Sequence, residues 1–142
     1  MGRLARGFVC GAAAAAVWAA SEPVLRRVTR SDYSDVRLLA DPISRETQLP
    51  GLALHCVNGG VFGAGFTALG LSGVRQGVIC AGAESVGLWP LTVLVDRFHP
   101  TVRSGEWPPV FRDPRAFSHS LLGHLLFGAT LGALTSTCAA NR

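Results

Sequence analysis

The chain has 142 residues, room for one compact unit but not for two independent domains of ordinary size. Hydrophobic residues make up 49% and charged residues 15%, against roughly 25% charged in an average soluble domain, and mean hydropathy is +0.34; this argues against an ordinary soluble domain and for a bilayer. The net charge is +4 and all 13 basic residues are Arg, but they flank apolar segments and form no stripe interleaved with exposed aromatics, which argues for lipid headgroups and against nucleic acid.

Leu4 to Leu25 is an Ala-rich apolar run bounded by Arg3, Arg6, Arg26 and Arg27. It reads as a retained transmembrane helix, although its basic start and the small residues Ala19, Ala20 and Ser21 imitate a secretory signal. Residues 26–50 carry five Arg, four acids, Pro42 and Pro50, which predicts a surface loop with a short interfacial helix around Val36 to Ala40. Leu52 to Val74 is a second apolar run, long enough for a hydrocarbon core of about 30 Å. A tight turn leads into a third, Val78 to Val95, interrupted by Glu84 and Pro90. Residues 96–115 form a Pro-rich loop whose Trp107 suits an interfacial anchor, and Phe117 to Cys138 is the fourth run. The expected fold is therefore all-α: a single membrane domain over 1–142 with four transmembrane helices in two tandem hairpins. Cys10, Cys56, Cys80 and Cys138 lie in apolar stretches without a CxxC pair and read as small apolar residues.

Comparison of the halves suggests an internal repeat. Trp18 and Arg26 match Trp89 and Arg97 at an offset of 71. His55, Gly59, Gly63 and Ala64 match His124, Gly128, Gly132 and Ala133 at an offset of 69. Repeat 1 would cover about 4–74 and repeat 2 about 75–139; each holds two spans, so the copies would run parallel about an axis near the membrane normal. Nine Arg fall on the loops 26–50 and 96–115 and four on the other side, which places the long loops in the cytoplasm of a bacterial plasma membrane. The exclusive use of Arg over Lys suggests a GC-rich bacterial genome.

His55, Gly59 and Gly63 follow at spacings of four and share a helix face, as do His124, Gly128 and Gly132. Such small-residue faces let membrane helices pack closely, so both histidines should point into the bundle at matched depth. Two roles compete there: pinning a neighbouring carbonyl, or serving as a titratable pair that binds haem or a metal, or lines a proton or small-solute path. Glu84 is the acid placed well inside the bilayer and is a candidate site by default. Counted along its span it lies nearer the short-loop side, away from the histidines, so direct contact is not expected. Trp18, Trp89, Arg26 and Arg97 read as interfacial residues, with Glu22 pairing Arg26 along the helix and Asp96 with Arg97 likewise. No nucleophile elbow, phosphate loop or HExxH occurs, so no enzymatic activity and no resident cofactor are expected, and the partners are the bilayer and a second copy or membrane complex.

Gly11 with Trp18, Glu22 and Pro23, His55, Gln76-Gly77 with Gly82 and Pro90-Leu91, and Gly123-His124-Leu125 occur in an order that resembles the YagU-like inner-membrane proteins of bacteria. The resemblance touches all four apolar runs, with a shorter segment between the first helices. It implies a role in acid tolerance and supplies no mechanism; the role expected of the chain is envelope homeostasis or acid response.

Overall fold

Gly7, Gly11 and Ala15 recur every fourth residue, and so do Gly73, Gly77 and Ala81; these two small-residue faces decide which helices meet. A computed structural model describes residues 2–140, with side chains as far as Thr137. The elements are α1 (Arg3–Thr29), α2 (Asp35–Ala40), α3 (Leu49–Ala68), α4 (Val74–Leu88), a 3₁₀ turn (Trp89–Leu91), α5 (Thr92–Phe98), α6 (Pro100–Arg103) and α7 (Pro114–Ala140). No strand occurs among the described residues. Cys10, Cys56 and Cys80 form no disulfide, and the side chain of Cys138 lies outside the described residues.

α1 and α3 cross antiparallel with their backbones touching. A Cβ added to Gly11 would stand 2.0 Å from the Gly59 carbonyl oxygen, and one on Gly63 would stand 2.2 Å from the Gly7 carbonyl oxygen. α4 and α7 repeat the arrangement: a Cβ on Gly77 would lie 2.0 Å from the Gly128 carbonyl oxygen, and one on Gly132 would lie 2.4 Å from that of Gly73. Ala15 closes the first crossing against Gly59 and Ala81 the second against Gly128. These contacts pair Gly59 with Gly128 at an offset of 69, but Gly11 with Gly77 and Ala15 with Ala81 at 66. In that register Trp18 corresponds to Glu84, not to Trp89. The two pairs join where α1 meets α7, with Trp18, Phe127 and Leu131 in the shared core. The α3 to α4 link turns through Gly70 and Gly73, at φ 79° and 94°, where other L-residues are strained.

Three helical segments are long and apolar enough to cross a membrane, not the four expected: Arg3–Thr29, Val74–Phe98 and Pro114–Thr137. α3, with 20 residues including His55, Asn58 and five glycines, is not among them. The Val74–Phe98 segment runs on through Pro90; the missing N–H turns one stretch into 3₁₀ helix without ending the run. Most of its apolar side chains, including Ile79, Val86, Leu91, Val93 and Leu94, face outward.

The two long loops fold together into one cap at the same end of the bundle. Ser34 caps α2 by accepting from the Arg37 N–H. Arg37 pairs with Asp41 and Glu106, Arg45 also reaches Glu106, and Thr101 bonds Asp41. The His99 ring donates to the Leu38 carbonyl at 3.0 Å. Trp107, expected as an interfacial anchor, is instead 3% exposed, stacked on His99 and covered by Tyr33 and Arg37, because the two loops bury it between them.

Two expectations follow. Gly11→Ala and Gly77→Ala should each lower the melting temperature in detergent, since overpacking costs about 1–3 kcal/mol, whereas Gly65→Ala and Gly87→Ala, where an added Cβ meets nothing within 4 Å, should be neutral or stabilising. Equal tolerance at all four would refute the crossing register. In the cap, hydrogen bonding to Arg37 and then Arg45 holds Glu106 below its ordinary pKa of 4.5. The stability it contributes is present above the unfolded pKa and is lost as pH falls through the lower folded value. Protease access to the Arg45 and Arg103 loops should therefore rise in acid in the native chain, and Glu106→Gln should show that access already at neutral pH.

Candidate functional site

A cavity of about 330 Å³ lies between the helices below the cap, and it gathers polar residues from every long element. α1 supplies Trp18, α3 supplies His55 and Asn58, α4 supplies Glu84 and Ser85, and α7 supplies Ser120 and His124. Tyr33 and Asp35 enter from the cap side, while Phe62, Phe127 and Leu88 provide apolar walls. His55 and His124 are positioned by the glycine crossings, one turn along from Gly59 and Gly128. Asn58, at i+3 from His55, and Ser85, next to Glu84, also line the cavity, and the sequence did not single out either as a site residue.

The His124 Nε2 stands 4.0 Å from the Glu84 carboxylate. The sequence count placed these residues near opposite sides. The observed helices begin earlier, at Val74 and Pro114, so each residue lies about 15 Å in from the nearer end and the antiparallel pair brings them level. The gap exceeds a hydrogen bond and suits a bridging water. His124 Nδ1 lies 2.8 Å from the Ser120 carbonyl, which can only accept, so Nδ1 carries the proton and neutral Nε2 is left as an acceptor toward Glu84. The His55 ring bonds the Ala15 carbonyl and leaves Nε2 without a protein partner.

Trp18, expected at an interface, is 6% exposed inside the bundle, with ring centroids 4.6 Å from His55 and 4.5 Å from His124. Its indole N–H, His55 Nε2 and the Ser85 hydroxyl are all buried without protein partners around one cavity. Buried polar groups are normally satisfied, and the volume holds several waters at about 30 Å³ each in the liquid. Trp89 is half-buried at the other end of the cavity, donating to the Phe111 carbonyl at 3.2 Å and packing on Phe117. Arg26 and Arg97 are exposed at the cap end.

Glu22 does not pair with Arg26. It turns inward, 7% exposed, accepting from the Ser34 hydroxyl and from the Val36 N–H at 3.1 Å, while Arg26 pairs with Asp32. The helix runs on past Pro23, so α2 folds back across Glu22 and offers it donors that an isolated helix end lacks. Asp96 likewise bonds the Val110 and Phe111 N–H groups, and Arg97 lies over Phe98. Beside Glu22, burial and then the charge of Glu22 push the Asp35 carboxyl up to about 7. Burial, with Asp35 adjacent, raises Tyr33 well above its usual value, and its hydroxyl donates to Asp35 at 2.9 Å. Ser34 and Asp35 carry the familiar signature of a helix start; nothing local could reveal that they also fold onto Glu22.

No family model matches the chain, and no curated protein or solved structure matches it.

Ser34→Ala should remove both the donor to Glu22 and the cap of α2. Hydrogen bonds to charged groups contribute about 1.5–3 kcal/mol, so unfolding in denaturant should show a loss of about 2–3 kcal/mol; a loss within error of zero would mean that Glu22 does not tie α2 to α1.

Proposed function

We propose that this chain is a small integral membrane protein of the bacterial plasma membrane that carries protons, in response to acid, along the cavity formed by Glu84, His124 and His55. The observation that carries the reading is the His124 to Glu84 approach of 4.0 Å inside an apolar helical bundle, with the open Nε2 of His55 on the same cavity. An ionisable residue held among membrane helices is costly and marks ion or proton pathways. Histidine changes charge in the physiological range and relays protons through two nitrogens. Here Nδ1 faces a carbonyl and Nε2 faces a carboxylate, so a proton taken from Glu84 through water can rest on the imidazole. The resemblance to YagU-like proteins points the same way, toward acid tolerance.

Four crossings accompany this reading. α3 is about 30 Å long and lies antiparallel to α1 along its glycine face, which supports it as the fourth crossing. The like arrangement of the two crossings supports a parallel repeat, and the nine Arg on the long loops support a cytoplasmic cap. Haem or metal ligation by His55 and His124 is less well supported, because the Trp18 indole packs on both rings.

Liposomes that hold the purified protein and a pH-sensitive dye test the proposal. After an acid pulse the interior should acidify faster than in empty liposomes, and Glu84→Gln and His124→Gln should each slow the change about tenfold or more. Wild-type rates in both variants, or no flux above empty liposomes, would sink it.

A further inference from the structure

His119 is the least explained polar residue among the described residues. Its side chain is fully buried, at 0% exposure, and neither ring nitrogen has a protein partner. Asp35, 8% exposed, keeps Oδ2 without a partner as well. One ring nitrogen of His119, one oxygen of Asp35 and one oxygen of Glu22 lie within 4.8 Å of one another, and among the described residues no other three His, Cys, Asp or Glu side chains converge so closely. The residues come from three separate places: the end of α1, the start of α2 and the first turns of α7.

We propose that Glu22, Asp35 and His119 hold one divalent transition-metal ion of the zinc, manganese or ferrous class, at a site distinct from the Glu84, His124 and His55 group. The donor set is one imidazole nitrogen and two carboxylate oxygens, which suits these borderline ions better than the all-oxygen shells of calcium or magnesium. Charge agrees. Two buried carboxylates approach each other here, and Arg26, whose field reaches both Glu22 and His119, stands at the surface paired with Asp32. A dication would neutralise both acids and give the His119 nitrogen and Asp35 Oδ2 the partner they lack.

The surrounding bonds are those that orient ligands. Glu22 is held by Ser34 and the Val36 N–H, and Asp35 Oδ1 accepts from the Tyr33 hydroxyl, so each carboxylate is aimed by a donor and retains lone pairs for an ion. Such ions bind imidazole and carboxylate at about 2.0–2.2 Å, which the three side chains reach by closing inward. A surface cleft of about 550 Å³ reaches Glu22, and Asp35 also lines the cavity below the cap, so the cluster is approached from two sides. Bound there, the ion would join α1, α2 and α7, and so fasten the cap to the bundle.

The test uses the full chain in detergent, without a histidine tag, stripped with EDTA and then exposed to Zn²⁺, Mn²⁺ or Co²⁺ in turn. We expect one ion retained per chain for at least one metal, a higher melting temperature when loaded, and visible d–d bands with Co²⁺. His119→Gln and Glu22→Gln should weaken binding about a hundredfold or more. Asp35→Asn, which keeps an acceptor for Tyr33, should do the same while circular dichroism stays native. Glu84→Gln should bind normally, which separates this site from the proposed proton path. Wild-type protein that retains none of the three metals would overturn the proposal, as would full binding in His119→Gln with loss in His55→Gln.

Discussion

Backbone-to-backbone approach at the glycine crossings is the constraint on which the rest of the molecule depends. At Gly11 and Gly77 there is no space for even a methyl group, since a Cβ would sit 2.0 Å from a carbonyl oxygen. In lipid the tails are as apolar as leucine, so helices are held by such close packing and by interhelical hydrogen bonds, not by an escape from water. The spacing of four that brings the glycines onto one face also sets the rotation of each helix. Once Gly59 and Gly128 face their partners, His55 and His124 one turn away have no choice but to enter the bundle.

That rotation makes a polar interior inside an apolar exterior. Outward-facing Val, Leu and Ile cover the Val74–Phe98 segment, while Glu84 and Ser85 from the same helix face His124 and the cavity. In the crossing register, the place that Trp18 fills in the first pair is filled by Glu84 in the second. The Trp18 indole packs on both histidines, whereas the Glu84 carboxylate approaches His124. This asymmetry sets a carboxylate beside one of the two histidines, and it is the basis of the proposed proton path.

The cap closes the structure at one end by a different physics. Arg37, Arg45, Asp41, Glu106 and Thr101 form a network across the two loops, and Trp107 fills the space beneath it. Its inner surface presents Ser34, Tyr33 and Asp35 to the helix ends, so residues from an exposed loop become the buried neighbours of Glu22 and His119. A cluster with two unpartnered imidazole nitrogens and an unpartnered carboxylate oxygen is unusual where buried polar groups are nearly always satisfied, and the proposed ion would take up one of those nitrogens and the oxygen.

The sequence by itself determined that the chain is helical, rich in apolar helices and loaded with arginine at two loops, because composition and run length act locally and need no knowledge of neighbours. It also determined that His55 and His124 share faces with glycines at i+4 and i+8, because helical periodicity is local. Gly7, Gly11 and Gly73, Gly77 carried the same spacing, and they mark the true crossing register; matching tryptophans gave an offset that the backbone contacts do not follow. Depth counting went astray for Glu84, since the helices begin earlier than the apolar runs, at Val74 and Pro114. Only the tertiary structure decided that Glu84 meets His124, that Trp18 and Trp107 are interior, and that Glu22 abandons Arg26 for Ser34. Each of these joins residues far apart in the chain, through helix crossings or through the folding of two loops onto helix ends, and no periodicity within one segment encodes such a meeting.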